Sequence, residues 1–126
     1  MPGVTYHTGA LIAAAGDHRT LWSLHRQSLE RGLLPTVPAG VLARARRGAA
    51  PPALSRLLRG CRVEALTEQR AKACGSALAR SGSSNVIDVA VVLGGSARGD
   101  LIITGDAPAL QALGAALGIA LRLVEI

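Results

Sequence analysis

Two carboxylates stand in apolar surroundings where a carboxylate needs a partner. Residues 84–97 are apolar nearly all round and too long for a strand, which predicts a helix covered on several sides. Asn85 and Asp88 lie three apart in that stretch and so share one helix face. Downstream, Leu101-Ile102-Ile103-Thr104 is a short continuous apolar run, the pattern of a central parallel strand. Gly105-Asp106 stops the run, which sets Asp106 at the carboxyl end of that strand. In open α/β sheets ligands bind at this edge. Asp88 and Asp106 are therefore expected to converge at one rim of a sheet. A buried charge without a partner is costly, so Asp88 must be answered there, while Asp106, just before Ala107-Pro108, can also cap a helix.

The elements that must position these residues read out in order. Val4-Thr5-Tyr6 is a short β-prone run ended by His7, and Thr8 can cap a helix over 9–15. Gly16 ends that helix and Asp17 can cap a second one running to Arg31. Residues 34–37 read as a second strand, and Pro38 suits the first turn of a helix ending near Arg47-Gly48. A brief helix over 53–59 precedes a third strand over 61–66, and Thr67 caps a helix through Arg80. After the helix and strand carrying Asp88 and Asp106, residues 121–126 close the chain as a fifth strand. Strands alternating with helices predict a three-layer α/β/α arrangement around a central parallel sheet of about five strands. The whole of 1–126 reads as a single domain.

Composition narrows the function classes. There is no Phe, one Trp and one Tyr, so base-stacking platforms for single strands are disfavoured. Net charge is +6, and all but one of the 14 basic residues are Arg, which suits phosphate partners better than Lys. Cys61 and Cys74 lack metal-ligand spacing and read as reduced thiols on apolar faces. Gly94-Gly95 and Gly99 do not form a dinucleotide fingerprint. Met1-Pro2-Gly3 lacks the start of a secretory leader, and no apolar run is long enough to span a bilayer. A cytoplasmic protein without a membrane role is expected.

Three stretches carry a family resemblance. VTYHTGALIA resembles the first strand and helix of PIN-domain nucleases, VPAGVLARARRG their second strand and next helix, and SNVIDVAVVLGGSARGDLIITGDAPAL their closing pattern of a helical Asp, a strand and Thr-x-Asp. Within that family the chain resembles the small VapC-type toxins of bacterial toxin–antitoxin pairs. The resemblance covers essentially the whole chain. It implies metal-dependent hydrolysis of RNA, with Mg²⁺ or Mn²⁺ held by three or four carboxylates at the carboxyl rim, an antitoxin protein as partner, and a homodimer. Such an ion binds through oxygen, activates a water and offsets the charge building on phosphoryl oxygens. By the same resemblance Asp88 and Asp106 are the catalytic and metal-binding acids, and Asn85, Thr104 and Thr8 line the site.

The sequence departs from the family at two positions. His7 stands where the first Asp is expected, and Arg44 where a Glu is usual. His7 is a plausible ligand for Mn²⁺ or Zn²⁺ but poor for Mg²⁺. A guanidinium cannot ligate a cation. At about 4 Å an Arg–Asp attraction is on the order of 4 kcal/mol at an effective dielectric near 20, so Arg44 is expected to pair with Asp88 and compete with any metal. Residues 31–63 hold seven Arg and no acid, and Arg46, Arg47, Arg56 and Arg59 read as an RNA-facing patch beside the site or as solvated helix faces. Three functional expectations follow: a PIN-like protein with weak or lost ribonuclease activity, an inactive fold that binds RNA or protein, or a nuclease with an unusual metal set including His7. The dimer is expected through the helical faces around Trp22 and Leu54–Leu58.

Overall fold

A computed structural model describes residues 2–126. The chain folds as β1 (Val4–Tyr6), α1 (Thr8–Ala15), α2 (Arg19–Glu30), β2 (Thr36–Pro38), α3 (Ala39–Ala45), α4 (Pro52–Leu58), β3 (Arg62–Glu64), α5 (Glu68–Ser81), α6 (Val86–Arg98), β4 (Leu101–Thr104), α7 (Ala107–Leu117) and β5 (Arg122–Glu125). The expected alternation of strands and helices is the observed one. All strand pairs are parallel, in the order β3-β2-β1-β4-β5. The chain moves outward from β1 to β3, then crosses back to place β4 on the other side of β1. Right-handed crossovers running in opposite directions put their helices on opposite faces. Accordingly α1–α4 pack together on one face and α5–α7 on the other, a three-layer α/β/α sandwich. The strand order reverses between β1 and β4, and His7 and Gly105-Asp106 follow their carboxyl ends, the edge at which open α/β sheets bind ligands.

Short aliphatic side chains fill the interior. Leu11, Leu21, Val37, Leu54, Leu57, Ile102, Ile103 and Leu110 are buried around Tyr6. Two glycines set how closely the layers approach. A Cβ on Gly95 would lie 2.9 Å from Ile102 Cδ1, so α6 can rest against β4 only without a side chain there. A Cβ on Gly9 would lie 2.6 Å from the Gly105 amide nitrogen, so the first turn of α1 touches the β4–α7 turn backbone to backbone. That second approach holds His7 and Asp106 at one rim.

Element ends follow hydrogen bonds more than composition. β2 begins at Thr36 rather than 34, since Pro35 O already receives the Arg62 amide and Leu34 is exposed. β3 shrinks to Arg62–Glu64, the length over which β2 offers partners. Asp17 does not cap α2: its φ of 56° completes the turn after α1, and the neighbouring His18 ring accepts the Leu21 amide instead. Nor is there a free apolar helix face around Leu54–Leu58 and Trp22. Leu54 and Leu57 are buried against the core, and the Trp22 indole donates to Ala14 O and is covered by Arg56.

Candidate functional site

The rim of the sheet is held by one hydrogen-bonded chain. Thr104 closes β4 with its hydroxyl inward, and the Asp106 amide donates to Thr104 Oγ1 at 2.9 Å. Thr104 Oγ1 lies 2.7 Å from His7 Nδ1, and His7 Nε2 lies 2.7 Å from Asp88 Oδ1. The Thr104 oxygen accepts the Asp106 amide, and the His7 ring links that oxygen to the Asp88 carboxylate, the tautomer setting which ring nitrogen donates. The contacts run unbroken from the Asp106 backbone through Thr104 and His7 to Asp88. His7 is 7 % exposed and Thr104 is fully buried.

Each neighbouring candidate has a definite place. Asn85 caps α6, its Oδ1 accepting the Asp88 amide at 3.1 Å, and this sets Asp88 in the first turn, facing His7. Asp106 caps α7, its Oδ1 accepting the Ala109 amide at 3.3 Å, and is exposed. Thr8 opens α1 with its hydroxyl buried and without a hydrogen-bond partner. Two clefts of about 310 Å³ each flank the first turn of α6: one lined by Asp88, Ser81, Ser83 and Ala109, the other by Arg44 and residues 84–87.

The expected pairing of Asp88 with Arg44 does not form. Asp88 is answered by His7, which leaves β1 at the same rim, whereas Arg44 projects from the last turn of α3 into the outer cleft and is exposed. The Arg-rich stretch also divides. Arg44, Arg46 and Arg47 end α3 and are exposed. Arg56 instead reaches Asp17, past the far end of α1, at 3.6 Å and lies 4.7 Å over the Trp22 ring, and Arg59 caps the end of α4 just before β3. Arg56 and Arg59 therefore sit toward the amino edge of the sheet, away from His7.

Two buried networks escaped sequence reasoning. Arg98 bridges Glu64 and Asp100, its Nε 2.9 Å from Asp100 Oδ2, and it donates to Thr5 Oγ1, which in turn donates to Asp100 at 2.7 Å. Tyr6 OH meets His25 Nδ1 at 2.7 Å beneath Trp22. Burial lowers the His25 pKa from its usual value and raises that of Tyr6. Burial also pushes Cys61 up to about 12 and raises Cys74, so neither thiol is primed for reaction. The only hint of the first network was the near spacing of Arg98 and Asp100.

The hydroxyl–imidazole–carboxylate order resembles that of a nucleophilic triad. Here the nucleophile position is closed off: Thr104 is fully buried, and its oxygen also accepts the Asp106 amide. The same contacts bear on the metal set that the family resemblance implies. Mg²⁺ or Mn²⁺ needs several oxygen ligands turned inward, but Asp88 Oδ1 is held by His7 and Asp106 Oδ1 by its helix. No group of three His, Cys, Asp or Glu side chains among the described residues is placed to hold an ion. The residues present do not fit the metal centre that the family resemblance implies. No helix among the described residues is long and apolar enough to cross a membrane. Compared with protein-family models and with curated proteins, the chain matches none.

Proposed function

We propose that the protein is a PIN-like domain, related to the VapC-type ribonucleases, that has lost metal-dependent hydrolysis and acts in the cytoplasm by binding RNA at the carboxyl rim of its sheet. The observation that carries this reading is His7: standing where the resemblance expects an acid, it fills the centre of the rim and spends both nitrogens on Thr104 and Asp88. The binding half of the reading is supported by Arg44, which lines one of the two clefts, and by the exposed Arg46 and Arg47 that follow it at the end of α3, with Arg able to grip phosphate in a bidentate fashion.

A labelled single-stranded RNA pool tests it by anisotropy and by gel in the same samples. The expected result is binding that weakens steeply with salt, as counterion release requires, and no cleavage with Mn²⁺. Changing Arg44, Arg46 and Arg47 together to Ala should weaken binding at least tenfold, whereas Arg59→Ala, at the other edge, should leave it within about twofold. Cleavage by the wild type that EDTA abolishes would overturn the loss of hydrolysis. Equal weakening by the two sets of changes would remove the rim as the RNA site.

A further inference from the structure

We propose that the amino edge of the sheet carries a second site, a cleft that takes a small apolar α-amino acid in its zwitterionic form. The cleft has a volume of about 280 Å³ and opens at the edge opposite His7, where Gly3 precedes β1, Thr36 and Arg62 begin β2 and β3, and Asp100 precedes β4. Two of its polar side chains are buried, Thr36 at 2 % exposure and Asp100 at 7 %. A carboxylate this buried ordinarily spends both oxygens on donors. Asp100 spends one: Oδ2 receives Thr5 Oγ1 at 2.7 Å and Arg98 Nε at 2.9 Å, whereas Oδ1 accepts no hydrogen bond among the described residues. Oδ1 lies beside Gly3, where a Cβ would meet it at 2.7 Å.

The charges in the cleft are separated rather than paired. Arg98 is shared between Glu64 and Asp100, which leaves that trio one negative charge in excess. Arg62 makes no ion pair among the described residues. Its Nη2 donates to Thr36 Oγ1 at 2.9 Å, which orients the guanidinium and leaves it further N–H groups to give. Thr36 and Thr5 are register partners on adjacent strands, about 4.8 Å apart. Arg62 is held by one and Asp100 by the other, so the two charges stand too far apart to pair and close enough for one small molecule to touch both. An ammonium on the free Asp100 oxygen and a carboxylate on Arg62, carried by one carbon, match this spacing and these signs. A simple anion or a simple cation leaves one of the two unanswered. Leu33 and Leu34 line the same cleft, and Leu34, 59 % exposed, offers apolar surface to an aliphatic side chain.

Isothermal titration calorimetry with free L-leucine tests the site, against 4-methylpentanoate, which lacks the ammonium, and 3-methylbutylamine, which lacks the carboxylate. Leucine should bind with a Kd of about 1 mM or tighter, within the reach of so small a ligand. Each analogue should bind about tenfold more weakly or worse, the worth of one hydrogen bond to a charged group. Arg62→Ala, at an exposed residue, should keep the wild-type circular dichroism and weaken leucine binding by a similar factor. Gly3→Ala sets a methyl group against Asp100 Oδ1 and should do the same. No heat from leucine at ten times that Kd would overturn the proposal. So would either analogue binding as tightly as leucine, which would reduce the site to a single charge. Undiminished binding by either variant would overturn it as well, and should Gly3→Ala not fold, Arg62→Ala decides.

Discussion

Replacing His7 by Asp should turn an inert pair into a cation site, and the geometry sets the size of the effect. The ring is 7 % exposed and bridges Asp88 and Thr104 at 2.7 Å on each side. His7→Asp deletes a hydrogen bond to a charged group, about 1.5–3 kcal/mol. It also sets a second carboxylate near Asp88; at about 5 Å the repulsion is about 3 kcal/mol for an effective dielectric near 20. Asp88 is 16 % exposed at its side chain and borders an open cleft, so solvent screens part of this, and about 3 kcal/mol in all is expected. For 126 residues the unfolding entropy is about 0.26 kcal/mol/K, so Tm should fall by about 11 °C without metal. Mn²⁺ at about a hundredfold excess over its Kd returns about 2.7 kcal/mol, lifting Tm by about 10 °C. Thermal melts with 10 mM Mn²⁺ or with EDTA read both numbers. His7→Asn, which lacks the charge, should show the fall without the rescue, and the wild type should not move. Arg44 needs no change in this experiment, because it faces the outer cleft and does not touch Asp88. Equal stabilisation of the wild type by Mn²⁺ would refute the reasoning. So would a folded His7→Asp variant that Mn²⁺ leaves unmoved.

Two further outcomes test the buried networks. Arg98→Ala should cost about 3 kcal/mol in urea unfolding, since it strands Asp100, which is 7 % exposed, together with Glu64; a loss below about 1 kcal/mol would contradict the role of this bridge. His25 should make stability fall on acidification. Its pKa is lowered from 6.5 by burial, so below pH 6.5 the unfolded chain takes up a proton that the native ring refuses, and the slope of unfolding free energy with pH is positive. The slope approaches about 1.4 kcal/mol per pH unit at most for one proton. His25→Gln should remove that share of the pH dependence between 5 and 6.5, and an unchanged slope would show that another group sets it.

Local chemistry in this chain could be read; long-range pairing could not. Thr67, Asn85 and Asp106 cap the helices they precede, each accepting an amide three residues on. Gly82, Gly99 and Gly118 end helices with positive φ, the conformation for which glycine is suited. Apolar runs, with Gly16, Pro38 and Thr67 as punctuation, were enough for the order of the elements. Strand ends were not legible, because a strand stops where its neighbour stops offering hydrogen bonds, as β3 does against β2. The partner of Asp88 was missed for a related reason. Charge alone favours Arg44, but His7 and Asp88 are 81 positions apart and meet only because β1 and α6 reach the same rim.

The carboxylate centre that the family resemblance implies and the observed one differ in how charge is balanced. Clustered carboxylates repel and need a cation to relieve them. With an imidazole at residue 7, the centre closes on its own contacts: the ring lies between the Asp88 carboxylate and Thr104 Oγ1, and the Asp106 amide donates to Thr104 Oγ1. Asp106 then has no charge to answer except its own helix, and it lies exposed. The same strand ends that would gather ligands around an ion now gather a closed run of donors and acceptors. The rim keeps its shape through internal bonds alone, which is why a single carboxylate introduced at residue 7 is the change that should make it depend on a metal.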